Sequence, residues 1–129
     1  MTKAAPRTPR VVLVDDETDF LALARQWLSP RFELATFASG ESLATRLSAL
    51  DADLLILDVR LPGASGFELC RKVRSHKRLA ALPILFLTAS HNDVDFFRNI
   101  EVGGTAFMTK PVTRQELLAK IDELLAGKL

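Results

Sequence analysis

Three acidic side chains stand at the ends of two apolar runs, a placement that can bring their charges together. Asp15 and Asp16 follow the apolar run over residues 11–14, and Asp58 follows the apolar run over residues 54–57. If both runs form parallel strands of one sheet, the three carboxylates meet at one edge. Carboxylates that lie so close together cannot all stay ionised unless a cation lies among them.

Two further polar side chains follow strand-like runs and add a hydroxyl donor and a positive charge. Thr88 ends the run over residues 84–88, and Lys110 follows the run over residues 105–109. A carboxylate is a poor nucleophile toward a phosphoryl donor because both are anionic, and Mg²⁺, which prefers oxygen ligands, removes that obstacle. Phosphoryl transfer otherwise needs positioning and charge neutralisation. The residues therefore predict a Mg²⁺-dependent phosphoryl-accepting site.

Within that site, Asp16 and Asp58 are the predicted direct metal ligands, and Asp15 is predicted to act directly or through a water. The backbone carbonyl of Arg60 is predicted to complete the protein's share of the ligands. Taken singly, each side chain has a simpler interpretation: an acidic pair often starts a helix, and an aspartate after a strand often forms a turn. The functional interpretation depends on their combination at one edge.

Strand and helix signals alternate five times along the chain. The first, third and fourth predicted strands are almost continuously apolar, which is typical of central parallel strands, and the other two are more polar, like edge strands. Such a pattern predicts an α/β fold with an open, doubly wound five-stranded parallel sheet, whose ligands bind beyond the carboxyl ends of the strands. The predicted strands are Arg10–Asp15, Glu33–Phe37, Asp53–Asp58, Ile84–Thr88 and Thr105–Thr109.

Helix signals fall between and after these strands. A stripe of apolar residues at helical spacing predicts the first helix, and leucines at similar spacing predict the second. Capping residues mark the starts of the others. The stripe is Phe20, Leu23, Ala24, Trp27 and Leu28; the leucines are Leu43, Leu47 and Leu50, with Ser39 as cap; the capping pairs are Ser65 with Glu68, Ser90 with Asp93, and Thr113 with Glu116.

Length and composition exclude several classes of protein. The 129 residues suit one domain, and 17 basic against 16 acidic residues leave a net charge of +1, which favours neither nucleic acid nor a membrane as partner. The single cysteine and the lack of a signal peptide fit a cytoplasmic location. Residues 1–9 are predicted to be a flexible lead-in and residues 10–127 the folded domain.

These motifs together resemble the receiver domain of two-component response regulators, and among them the chemotaxis regulators, from Val11 to about Leu125. The matching stretches are residues 14–17 (VDDE), 58–66 (DVRLPGASG), 87–89 (LTA) and 110–111 (KP). The resemblance implies a flavodoxin-like (βα)5 fold with strand order 2-1-3-4-5. It further implies that Asp58 is the phosphoacceptor, Asp15 and Asp16 the acidic pocket, Thr88 the switch hydroxyl, Phe107 the switch aromatic, and Lys110 the phosphate-pairing lysine, joined to Pro111 by a cis peptide.

The same resemblance implies a role in signalling. A histidine kinase or phosphotransfer protein would donate a phosphoryl group to Asp58 in the presence of Mg²⁺. Phosphorylation would then switch the surface formed by the fourth helix, the fifth strand and the fifth helix, and so control binding of a downstream protein or a fused output domain. A phosphorylation-dependent homodimer stays open. The domain would be a signalling phosphoacceptor rather than an enzyme that acts on other substrates, and it would catalyse only its own phosphorylation and dephosphorylation.

Three alternatives to a stand-alone receiver stay open at this point. The chain would equally suit the receiver half of a larger regulator whose output domain, DNA-binding or enzymatic, is missing. A phosphatase of the haloacid dehalogenase type also combines Asp, Thr, Lys and Mg²⁺, but its nucleophile belongs to an Asp-x-Asp motif on the first strand, whereas Asp58 ends the third. A docking module with a degenerate pocket is disfavoured because all five pocket residues are present.

Overall fold

The protein's structure, a computed structural model, describes residues 8–63, 65–89, 98 and 101–127. Most of the predicted lead-in and most of the predicted fourth helix, which begins near Ser90, lie outside these residues. Within them, five parallel strands form one sheet in the order β2-β1-β3-β4-β5, as predicted. The strands are β1 (Arg10–Val14), β2 (Glu33–Phe37), β3 (Leu54–Asp58), β4 (Ile84–Thr88) and β5 (Ala106–Thr109).

Helices cover both faces of this sheet. Alternate residues of each central strand point to opposite faces, so that Leu55 and Leu57 pack into one core cluster while Leu54 and Ile56 pack into the other. The edge strands β2 and β5 are only partly buried. The helices are α1 (Thr18–Leu28), α2 (Gly40–Ala44), α3 (Gly66–Ser75) and the C-terminal helix (Arg114–Ala126), with single 3₁₀ turns at Leu47–Ala49 and Lys77–Leu79.

The predicted caps are present at three helix starts. Ser39, Ser65 and Thr113 each accept a hydrogen bond from the backbone N–H three residues on. Thr113 and Glu116 form a complete reciprocal capping box. Since a capped start defines where a helix leaves its loop, Ser65 fixes the position of α3 immediately after the loop that follows Asp58.

The second helix is shorter than the leucine spacing predicts. The Thr45 hydroxyl donates to the carbonyl of Ser42, a local bond that competes with the helical ladder. The chain then leaves helical geometry at Arg46 and makes the separate 3₁₀ turn. The guanidinium of Arg78 donates to the carbonyls of that turn and of Leu50, which satisfies them without a continuous helix.

The apolar stripe of α1 is buried only in part. Ala24 and Leu28 are fully buried, whereas Phe20 and Trp27 are half-buried. Leu23 is 40% exposed, so this member of the stripe lies at the surface of the protein. The three less buried members, Phe20, Leu23 and Trp27, line a surface pocket together with Lys110 and Val112.

Candidate functional site

Three carboxylates meet at the carboxyl edge of the sheet. Asp15 directly follows β1 and Asp58 ends β3, and the parallel register that pairs Val14 with Leu57 places these aspartates side by side. One oxygen of each of Asp15, Asp16 and Asp58 lies within 4.8 Å of the others. Asp15 and Asp58 are buried and Asp16 is exposed, so the cluster opens to solvent on one side.

Backbone amides orient the two buried carboxylates. The Glu17 N–H donates to Asp15 Oδ1 at 2.9 Å, and the Arg60 N–H donates to Asp58 Oδ1 at 3.0 Å. Each aspartate thus bonds to the backbone two residues further along, a geometry that short acidic side chains favour in turns. The second oxygen of each, Oδ2, is left to face Lys110.

The Lys110 ammonium lies between three carboxylates. Its Nζ is 2.6 Å from Asp15 Oδ2, 2.9 Å from Glu17 Oε1 and 3.3 Å from Asp58 Oδ2. The same atom lies 4.6 Å from the centre of the Phe20 ring. Burial lowers the pKa of Lys110, but the hydrogen bonds that its ammonium donates to Asp15 and Glu17, with the negative charges around it, outweigh this effect and raise the pKa well above its ordinary value.

At Asp58, unlike at Lys110, the effect of burial on the pKa outweighs the opposing contacts. Burial raises the pKa of Asp58, and the charge of Asp15 raises it further; the Arg60 N–H and Lys110 oppose this shift without cancelling it. Ionised Asp58 is therefore costly in the resting protein. A cation among the carboxylates would lower that cost, because it would offset both the burial and the repulsion from Asp15.

The other predicted site residues lie on β4 (Thr88), on β5 (Phe107) and just after β3 (Arg60). Thr88 ends β4 and is fully buried, and its carbonyl accepts a hydrogen bond from the Lys110 N–H at 2.7 Å. Phe107 pairs in register with Phe86 and is a half-buried ring packed against the core. Arg60 is exposed. The Lys110–Pro111 peptide is cis, as the resemblance implied.

Three contributors to the site were not predicted from the sequence. Glu17 belonged to the quoted VDDE motif without a role of its own, and Phe20 was assigned to the core stripe, yet both contact Lys110. Gly66 starts α3 so close to Asp58 that an added Cβ would lie 2.2 Å from the Asp58 carbonyl oxygen. Glu17 and Gly66 lie within the matching stretches 14–17 and 58–66, which was the sequence signal for them, whereas Phe20 had no signal beyond its place near Asp16.

The donor set suits a hard divalent cation. Among the described residues, the cluster offers carboxylate oxygens only, two of them from buried side chains whose charges repel each other. Oxygen ligands with some solvent access are what Mg²⁺ prefers. The acidic cluster of Asp15, Asp16 and Asp58 is therefore able to bind a metal ion.

Comparison with known proteins assigns the chain to a family. The family model described as the response regulator receiver domain matches residues 11–122 of the sequence. This range includes the three carboxylates, Thr88 and Lys110. The chain belongs to the response regulator receiver domain family. Members of this family are signalling phosphoacceptors rather than conventional enzymes, and they interact with histidine kinases and output domains.

Relatives of this receiver domain are bacterial regulators. It is 40% identical over 116 residues to the transcriptional regulatory protein GltR of Pseudomonas aeruginosa, covering 89% of this chain and 48% of that protein. It is 36% identical over 118 residues to the phosphate regulon transcriptional regulatory protein PhoB of Rhizobium meliloti, covering 91% and 52%. The chain thus spans about half the length of the curated relatives it matches.

A solved structure supports the same fold for this receiver domain. The chemotaxis protein CheY4 of Vibrio cholerae superposes with a TM-score of 0.87 at 26% identity, covering 92% of this chain and 99% of that one. Within the described residues, no helix has the length and apolar character that crossing a membrane requires.

Proposed function

We propose that this receiver domain accepts a phosphoryl group on Asp58 in a Mg²⁺-dependent reaction and acts as a switch in a two-component system. The observation that carries the proposal is the contact of one ammonium with both buried aspartates: Lys110 Nζ lies 2.6 Å from Asp15 and 3.3 Å from Asp58. An acidic cluster alone would suit a structural metal. A lysine beside it suits a site where a phosphoryl anion forms.

The chain's own residues supply most of the machinery in this proposal. An oxygen of Asp58 forms a bond to phosphorus while the bond between phosphorus and the histidine nitrogen of the donor breaks. The Arg60 N–H holds Asp58 Oδ1, which orients the carboxylate. Lys110 neutralises charge that develops on the phosphoryl oxygens. A bound Mg²⁺, held by Asp15, Asp16, Asp58 and the Arg60 carbonyl, would reduce the repulsion between the carboxylate and the incoming anion.

The donor in this proposal is a histidine kinase or a phosphotransfer protein, and the phosphorylated form binds a downstream protein or a fused output domain. Because the chain spans about half of its curated relatives, the receiver half of a larger regulator is the favoured alternative to a stand-alone switch. Membership of the receiver family disfavours the phosphatase alternative. A folded domain over residues 10–127 and a cytoplasmic location remain part of the proposal.

The direct test is the mass of the intact protein after incubation with acetyl phosphate. We expect a mass gain of one phosphoryl group when Mg²⁺ is present, and loss of that gain when the metal is removed with a chelator. Metal removal acts by restoring the repulsion between Asp58 and the anionic donor. A gain that persists unchanged after chelation would contradict the metal-dependent proposal.

Phosphorylation is further proposed to change the surface of the predicted fourth helix, β5 and the C-terminal helix through Thr88 and Phe107. A phosphoryl oxygen would accept a charge-assisted hydrogen bond from Thr88, worth about 1.5–3 kcal/mol. Movement of Thr88 would let the half-buried ring of Phe107 turn further inward. Two elements of this surface are described in full, β5 (Ala106–Thr109) and the C-terminal helix (Arg114–Ala126).

Replacing Thr88 with alanine should therefore separate binding from switching. We expect Thr88→Ala to bind beryllofluoride, a mimic of the aspartyl phosphate, while the population of the switched state falls about tenfold or more. Backbone amide NMR of β5 and the C-terminal helix measures that population. Thr36→Ala, which removes a threonine hydroxyl from the remote edge strand β2, is the matched control. Full propagation of the shifts in Thr88→Ala would exclude Thr88 as the coupling residue.

A further inference from the structure

Glu17 stands at the start of α1 but does not cap the helix. It occupies the N-cap position, and its side chain makes no capping hydrogen bond. Glutamate is also not among the residues preferred there. Its backbone is held on both sides, since its N–H donates to Asp15 Oδ1 at 2.9 Å and its carbonyl accepts from the Leu21 N–H at 3.0 Å. The carboxylate therefore extends from a fixed point, and it extends to Lys110.

The first turn of α1 contacts the Lys110 ammonium twice. Glu17 Oε1 lies 2.9 Å from Nζ, and the ring of Phe20, three residues further along the helix, lies 4.6 Å from it. The contact of Nζ with Asp58 is longer, at 3.3 Å. In the resting protein the ammonium is thus held more closely by Asp15 and Glu17 than by the proposed phosphoacceptor.

The carboxylates that hold Lys110 differ in how easily they can release it. The side chains of Asp15 and Asp58 are 0% and 8% exposed, whereas that of Glu17 is 63% exposed. A buried carboxylate that loses its partner is left without hydration, which is costly, while an exposed one is rehydrated. Glu17 is therefore the partner that Lys110 can exchange for a phosphoryl oxygen.

We propose that Glu17 is a positioning residue that holds Lys110 toward α1 in the resting state and releases it when Asp58 carries a phosphoryl group. The inference rests on the proposed function, because it assigns Glu17 a part in the same site. Glu17 competes with the phosphoryl group for one ammonium, and it sets how strongly the site favours the unphosphorylated form.

The competition predicts that weakening the Glu17 contact strengthens anion binding. We expect Glu17→Gln to raise the affinity for beryllofluoride at saturating Mg²⁺ about 2- to 5-fold, the range expected for loss of one ion pair whose carboxylate is exposed to solvent. Removing a negative charge near the site would also raise the affinity for an anion, even without a contact with Lys110. The effect of the charge therefore has to be measured separately from the effect of the contact.

Two variants separate them. Glu17→Asp keeps the charge but shortens the side chain by one methylene, so that its carboxylate no longer reaches Nζ. Asp19→Asn removes a charge from the same exposed turn of α1. Among the described residues, the ion pairs of Lys110 are with Asp15, Glu17 and Asp58, so Asp19 serves as a control for charge alone. If Glu17 acts by contact, Glu17→Asp should resemble Glu17→Gln, and Asp19→Asn should resemble the wild type.

The affinities are measured by ¹⁹F NMR titration with beryllofluoride, and the contact itself by the NMR signals of the Lys110 ammonium without beryllofluoride. We expect both Glu17 variants to shift the Lys110 signals and speed their exchange with water. Wild-type affinity in Glu17→Asp together with raised affinity in Asp19→Asn would overturn the inference in favour of general charge. Unchanged affinity in all three variants would overturn it too. Failure of the wild type to bind beryllofluoride would instead refute the proposed function, on which the inference depends.

Discussion

Replacing Asp58 with asparagine should reduce the acetyl phosphate adduct to an undetectable level. An amide is not a nucleophile toward phosphorus, and the neighbouring carboxylates are poor substitutes. Asp15 is fully buried, and its two oxygens already accept hydrogen bonds from the Glu17 N–H and from Lys110. Asp19→Asn, which changes an exposed aspartate in the first turn of α1, should keep the wild-type adduct. Intact mass after incubation with Mg²⁺ measures both, and an adduct at wild-type level in Asp58→Asn would contradict the assignment.

The same variant should be folded and more stable than the wild type when no metal is present. Burial raises the pKa of Asp58 in the folded state. The free energy of unfolding of the protein therefore falls as the pH rises from the unfolded pKa of this carboxyl to its raised folded pKa. Above that window the whole penalty is present, and asparagine avoids it. We expect a higher urea midpoint for Asp58→Asn at neutral pH, and a smaller difference at pH values below the unfolded pKa. A lower midpoint at neutral pH would show that ionised Asp58 stabilises the resting protein.

Replacing Gly66 with alanine should lower the free energy of unfolding by about 3 kcal/mol, the upper end of the range for overpacking a well-packed region. A Cβ on Gly66 would lie 2.2 Å from the Asp58 carbonyl oxygen and 3.0 Å from the Asp58 carbonyl carbon. Both atoms belong to the backbone, so no side chain can rotate away. Either α3 or the end of β3 has to move, and the second movement displaces Asp58.

Gly40→Ala is a closely matched control for this substitution. Gly40 and Gly66 are both buried, both are the first residue of a helix, and both follow a serine cap. A Cβ on Gly40 would meet only leucine side chains, at 3.6 Å and 3.8 Å. We expect Gly40→Ala to change the free energy of unfolding by less than about 1 kcal/mol. Urea denaturation measures both variants, and equal effects would show that the contact with Asp58 is not the cause.

Much of the fold could be predicted from the sequence because it depends on local patterns. Apolar runs of strand length, bounded by helix caps, predicted all five strands to within one residue and the starts of three described helices. Parallel strands bring their carboxyl ends to one edge, so the strand assignments alone predicted that Asp15, Asp16 and Asp58 would lie close together. The roles of these side chains in phosphorylation stay predictions until the experiments above are done.

Local patterns were insufficient where long-range contacts compete with them. The leucine spacing predicted a longer second helix, but Arg78, about 30 residues further along, bonds to the carbonyls of the 3₁₀ turn that replaces it. The stripe of α1 could not show that Leu23 is 40% exposed, because the burial of each member depends on how the helix packs against the sheet.

The sequence by itself determined the order of the strands along the chain, their apolar faces and the edge at which the polar side chains meet. Only the tertiary structure decided which of those side chains touch. Glu17 and Lys110 are 93 residues apart, and their contact depends on the crossing of α1 over the sheet and on the rotamers of both side chains. The clash that any side chain at Gly66 would make with Asp58 arises in the same way, from the approach of two backbone segments. Neither distance is encoded in a local pattern, because each exists only after the strands and helices have packed.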